Sequence, residues 1–219
     1  MTQEMIITTE DCTGCARCVK VCPVFEANRV ETGKIIVDPQ NCIACGACFS
    51  VCRHDARDYA DDTEVFLENL KKGKRYSLLV APAFALNYPK QYKKILGYLK
   101  SLGVDHIYSV SHGADICTWA YITYLKKTGK SGMISQPCSS IVNYIEHHRP
   151  ELISQLMPVQ SPLLCEAIYL KKYMGEKNDL VFLSPCIAKG LEIKDENTKG
   201  IVTYNVTFQK LLAAIGDSY

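Results

Sequence analysis

Twelve cysteines stand in a chain of 219 residues. Eight of them fall in two strings, "CTGCARCVKVCP" from Cys12 to Pro23 and "CIACGACFSVCR" from Cys42 to Arg53. The strings match position for position at an offset of 30, and each reads Cys-x2-Cys-x2-Cys-x3-Cys. Three thiolates so closely spaced wrap one corner of an iron–sulfur cubane, while the fourth reaches the neighbouring cluster. The spacing therefore assigns Cys12, Cys15, Cys18 and Cys52 to cluster I. Cluster II takes Cys42, Cys45, Cys48 and Cys22. The alternative is zinc, but zinc sites usually draw four ligands as two separated pairs. The fourth cysteine of each string is expected to begin a short helix. Gly14, Ala16, Ala44, Gly46 and Ala47 are small enough for the crowded loops. Two such clusters make an electron relay, whose electrons must pass to a partner or to the rest of the chain.

Four cysteines remain. Cys117 and Cys165 lie in helical patterns ("DICTWAY", "LLCEAIYL") and read as small apolar core residues. Cys138 and Cys186 follow apolar runs and sit beside proline, which reads as a place for ligands or nucleophiles. The elements that would position them alternate strand, loop and helix. "YSLLVAPAF" is a strand ending at Ala81-Pro82, and "VDHIYSV" one ending at "SHGAD". "GMIS" is a short third ending at "QPCSS", and "DLVFLS" a fourth ending at "PCIAK". Ser139 or Ser140 is placed to cap the helix after the third. Such alternation predicts an α/β layer with a largely parallel sheet. In those sheets ligands sit outside the carboxyl ends of the strands, so Cys138 and Cys186 would face one crevice. His112 is expected in a loop hydrogen bond, and His147 and His148 at a helix end. Residues 61–75 ("DDTEVFLENLKKGKR") read as a charged, amphipathic connecting helix.

Net charge is +2 with a sequence pI near 7.9, so nothing electrostatic argues for nucleic acid. No apolar run approaches the roughly 18 residues needed to span a membrane. The N-terminus lacks the basic-then-apolar order of a secretory leader. So many thiols in a chain of this kind suit a reducing, cytoplasmic compartment.

Residues 5–60 resemble bacterial two-cluster ferredoxins, with Arg53 where the first string has Pro23. Beyond them, "SPCIAKGLE" resembles the second signature of the [FeFe]-hydrogenase catalytic domain, Met-Pro-Cys-x-x-Lys-x-x-Glu, with Ser184 for methionine. "ISQPCSSIVNYIEHHRPEL" is similar to the first signature, Thr-Ser-Cys-Cys-Pro-x-Trp. "VAPAF" and "LGVDHIYSVSHGADI" resemble further stretches of that domain. The resemblance implies an α+β ferredoxin-like two-cluster domain (1–60), a connecting helix (61–75) and the N-terminal part of an α/β hydrogenase-type domain with a mostly parallel sheet (76–219). It makes Cys138 and Cys186 two ligands of the catalytic cluster, Lys189 a contact of the diiron centre, and Ala81 and Pro82 neighbours of that pocket. Three departures stand out. Pro137 replaces the proton-donating cysteine, "ICTWAYITYL" carries no carboxylate, and the third signature with its two cysteines is missing. The expected cofactors are two [4Fe–4S] clusters, with a catalytic cubane and diiron centre only if the missing part is supplied. The resemblance thus implies an electron-transfer protein with a partial hydrogenase-like domain, a fragment of a redox- or hydrogen-sensing protein. It would work with a redox protein partner or a sensory domain and would not turn over hydrogen alone. The other reading is a stand-alone ferredoxin-type carrier whose C-terminal half only docks a partner.

Overall fold

The computed structural model describes residues 5–219. They form two compact units, and the units do not follow the order of the chain. The first holds the described residues up to Ala60 together with Cys138–Ser154, and the second holds Asp61–Pro137 and Gln155–Tyr219.

In the first unit, β1 (Ile6–Thr8) pairs antiparallel with β4 (Arg57–Tyr59), and β2 (Asn28–Glu31) with β3 (Lys34–Val37). Thr32 and Gly33 join the second pair, both with positive φ, as a two-residue hairpin turn matched to strand twist requires. The cysteine strings fold alike. Gly14 and Ala44 have positive φ, and so do Ala16 and Gly46, which precede the short helices α1 (Arg17–Val21) and α2 (Ala47–Ser50). Gly14 is held by a second constraint, because a Cβ there would lie 2.3 Å from the Gly33 carbonyl oxygen. The third cysteine of each string lies inside its helix, and Cys22 caps the end of α1. The fourth cysteine therefore follows the helix, where the sequence reading had it begin one. Three residues between thiols leave room for just one turn, and that turn is helical before Cys22 and Cys52.

The helix Ser139–His148 (α7 in chain order) belongs to this unit as well. Its Tyr144 packs on Val24, Ala27 and Ile43, and its His148 Nε2 lies 3.2 Å from the Asn41 carbonyl. Neither serine caps it. Cys138 occupies the N-cap position without a side-chain bond, and Ser139 and Ser140 are buried inside the helix.

The second unit is built on a four-stranded sheet in the order β6 (Val104–Ser109), β5 (Tyr76–Val80), β7 (Asp179–Ser184), β8 (Tyr204–Thr207). All three pairings are parallel. Every residue of β5 is buried, as is β7 beyond Asp179, which fits a parallel sheet covered on both faces. Leu78, Leu79, Leu180 and Leu183 form the middle of the core, each worth roughly 1.5–3 kcal/mol of burial. Against the sheet lie α3 (Thr63–Lys71), α5 (Tyr92–Leu102), α6 (Ser111–Thr128), α8 (Pro162–Lys172) and α10 (Phe208–Ile215), with the short α4 (Ala83–Asn87) and α9 (Lys189–Lys194) after β5 and β7. Ser161 caps α8 by accepting the Leu164 N–H, and Pro162 occupies its first turn.

Two expectations are corrected. "GMIS" is no strand of the sheet; Ile134 makes one isolated bridge to Leu156. Four residues between a glycine and a proline are too few to earn a place beside β5, whose two edges are already filled by β6 and β7. Cys138 is therefore not carried by the sheet's carboxyl edge. Its place as fourth strand is taken by β8, which the sequence reading passed over. Residues 61–75 are also more than a connector. Asp61 accepts from the Thr207 amide and hydroxyl at 2.9 and 2.6 Å, and Asp62 and Asn205 exchange backbone and side-chain bonds. These tie α3 to β8 inside the second unit. Among the described residues, no helix is long and apolar enough to cross a membrane.

Candidate functional site

The first unit brings eight thiols to two cavities. Cys12, Cys15, Cys18 and Cys52 line one, closed by Ile35, Ala56 and Arg57. Cys42, Cys45 and Cys48 line the other with Cys22, closed by Ile6, Ile43 and Asn28. Each string thus sends its last cysteine to the cavity of the other. In both rings the third thiol is buried and the second exposed. Among the described residues, no three Cys, His, Asp or Glu side chains converge on one point that would hold a single metal ion. The thiols instead surround a volume, with apolar walls and hydrogen-bond donors aimed at sulfur. That donor set suits a cubane cluster, which sits among four thiolates and is tuned by N–H···S bonds.

The donors are specific. The Ala56 amide donates to Cys52 Sγ at 3.4 Å, and Arg57 Nη2 donates to Cys18 Sγ at 2.9 Å. The backbone N–H of Arg17 holds the Cys15 thiol below its ordinary range. Burial pushes the Cys42 thiol up and the Cys48 thiol up to about 11, and the Arg57 charge opposes burial at both. Thiolates must form for metal to bind, so the guanidinium favours the ligand state of the Cys42 ring, and it donates directly to Cys18 of the other. Arg57 escaped the sequence reading. In "RHDARDY" it looks like one more solvated charge, and only β1–β4 pairing turns it inward.

Cys138 and Cys186 fall in different units. Cys138 is exposed, and its carbonyl accepts from Ile141 and Val142 at the start of α7. Cys186 is half-buried beyond β7. Its amide donates to Ser184 Oγ at 2.9 Å, and its carbonyl accepts from Asn205 Nδ2 at 3.1 Å. Ala81 stands beside it at the same sheet edge, its amide bonded to Leu183. Lys189 is 9 % exposed, and its ammonium is paired with the Glu192 carboxylate. A cubane needs four thiolates, and here the chain offers Cys138 and Cys186 for one.

The other notable side chains are structural. His112 lies in the first turn of α6, not a loop, and its Nδ1 meets Glu166 of α8 at 2.8 Å. Cys117 and Cys165, on the same two helices, both touch the Gln160 carbonyl at 3.4 and 3.3 Å. Burial, with Cys117 beside it, pushes Cys165 up to about 11.

Comparison with known proteins places this geometry. Residues 4–60 match the 4Fe-4S dicluster domain family, and residues 74–218 match the family described as iron only hydrogenase large subunit, C-terminal domain. The chain belongs to the iron-only hydrogenase large-subunit family. Within that family it is a divergent, hydrogenase-like member, with a dicluster domain followed by a partial hydrogenase-like domain. Its fold is similar to a solved [FeFe]-hydrogenase, from a study of oxygen inactivation through the H cluster's 2Fe subcluster. The TM-score is 0.59 at 20 % identity, over 73 % of this chain and 48 % of that one. Among curated proteins it is similar to two sequences named probable cytosolic Fe–S cluster assembly factor. The one from Drosophila ananassae is 21 % identical and the one from Drosophila mojavensis 22 %, each over 89 % of this chain. This hydrogenase-like chain spans 41 % of the length of those relatives.

Proposed function

We propose that this chain is a cytoplasmic iron–sulfur electron-relay protein. Cys12, Cys15, Cys18 and Cys52 hold one [4Fe–4S] cluster, and Cys42, Cys45, Cys48 and Cys22 hold the other. The observation that carries this reading is the exchange of Cys22 and Cys52 between the two thiol rings. When bound, each cluster accepts and returns a single electron. The protein's part is to hold the thiolates apart at four corners, keep water from the buried side, and aim N–H donors at sulfur. Residues 1–60 with the segment Cys138–Ser154 serve as the relay, and the rest of 61–219 as the face toward a redox protein partner or sensory domain. The hydrogenase-like part takes up a catalytic cubane and diiron centre only when two further thiolates come from outside this sequence. Cys138 and Cys186 would then be ligands, and Lys189, by the family resemblance, a contact of the diiron centre.

The test is anaerobic reconstitution of the full chain. About eight irons and eight sulfides per chain are expected. Cys52→Ala should remove the cluster of the Cys12 ring and leave the other. Loss of the cluster built on Cys42, Cys45 and Cys48 instead would overturn the crossed assignment. A count nearer twelve that falls to eight in the Cys138→Ala, Cys186→Ala double variant would mean those two thiols bind a third cluster.

A second reading is favoured by the curated relatives, named as cluster assembly factors. In it the clusters are passed on whole. Two incubations of the reduced, reconstituted chain separate the readings: transfer of iron and sulfide to a metal-free acceptor protein supports assembly, and reduction of an oxidised redox protein with the chain's own clusters retained supports the relay.

A further inference from the structure

Arg57 is a buried cation whose donors reach the lining of both thiol rings. We propose that Arg57 is a tuning residue whose guanidinium raises the reduction potential of the clusters on both sides of it; this rests on the ligand assignment above.

The residue is 8 % exposed, and both terminal nitrogens of its guanidinium are bonded. Nη2 donates to Cys18 Sγ at 2.9 Å and to Asn28 Oδ1 at 2.8 Å, and Nη1 to Thr8 Oγ1 at 2.5 Å. Arg57 lines the cavity of the Cys12 ring, and its partner Asn28 lines the cavity of the Cys42 ring. The guanidinium therefore stands in the wall the cavities share. Among the described residues, no carboxylate forms an ion pair with it. A buried cation needs a negative partner, and the thiolates supply it. Reduction adds one negative charge to a cluster. A fixed cation stabilises the more negative state more, and a hydrogen bond to a ligand sulfur acts in the same direction. The effect is larger on the cluster that includes Cys18, which has both the charge and the bond. The other cluster feels the charge alone, across Asn28. The two strings share their cysteine spacing, and this asymmetry adds to the difference in lining between their cavities, since the Cys12 cavity also carries Arg17 and His54.

The experiment is a dithionite titration of the reconstituted full chain, followed by electron paramagnetic resonance. The variants are Arg57→Gln, which removes the charge, and Arg57→Lys, which keeps it without the fork. Both midpoints should move to more negative values in Arg57→Gln, with the larger shift on the cluster that Cys52→Ala abolishes. Arg57→Lys should lie nearer the wild type. Unmoved midpoints in an Arg57→Gln protein that keeps its iron would overturn the inference. Should that variant lose iron, Asn28→Asp leaves the arginine in place and sets a carboxylate against it. Its midpoints should also fall, and no shift there is equally fatal. A wild type that assembles no cubane clusters fails the ligand assignment; one that assembles two, with midpoints indifferent to Arg57, fails this inference alone.

Discussion

Glu176 shows what a single residue does for the second unit. Its side chain is 4 % exposed, and burial alone would raise its pKa. The Asn178 amide, Ser77, Tyr108 and His106 all bond it at 2.8–2.9 Å and together hold the carboxyl down at about 2. The folded value lies below the unfolded one, so the stabilisation is complete above about pH 4.3 and is lost as pH falls toward 2. Glu176→Gln should cost about 1–3 kcal/mol at pH 7. In urea titrations of the metal-free chains, the gap to wild type should narrow steadily below pH 4.5 and stay constant above it. A gap that persists at pH 2.5 would mean the charge is not what the four donors hold. At this scale legibility followed chemistry. The gathering of eight thiols into two rings was legible in their spacing, because thiols meant for one cavity must recur at fixed intervals. Glu176, Glu166 and Arg57 were not, because a buried charge is made mostly by partners 29 to 99 residues away in sequence.

Among elements, the crossing of α6 and α8 is the most exacting. A Cβ on Gly113 would sit 2.1 Å from the Pro162 carbonyl oxygen and 2.7 Å from Glu166 Cβ, so glycine is what lets the helices approach. Gly113→Ala would force them apart and strain the His112–Glu166 pair beside the contact. The expected loss is roughly 1–3 kcal/mol, as for an overpacked core, read as a lower thermal midpoint with cluster content unchanged. A variant as stable as wild type would show that α8 slides freely. The strands β5 and β7 were legible because both faces are covered and the sequence is apolar without alternation, and β6, an edge strand with only Val104 buried, from its place between two helical patterns. β8 was not, since "YNVT" is four paired residues running straight into α10. "GMIS" misled for the opposite reason, being apolar enough for a strand but too short to displace one.

For the whole molecule, the family and the two-part order were readable from the cysteine strings and the "PCIAK" signature. The division into compact units was not, because "SSIVNYIEHH" carries an ordinary amphipathic pattern that does not say which core it serves. It serves the first. The chain leaves the second unit at Pro137, lends Cys138–Ser154 to the first, and returns at Gln155. A protein ending at Ala60 should therefore expose the Val24, Ala27 and Ile43 surface that Tyr144 covers, bind more of a hydrophobic dye, and lose its clusters faster in air than the full chain. Equal lifetimes would show that the borrowed segment protects nothing. The same loan sets an order of events during synthesis. The first sixty residues leave the ribosome with their thiols in place but wait for some ninety more before their outer wall arrives. Whatever loads iron onto the nascent chain meets an open face, and the arrival of α7 shuts it.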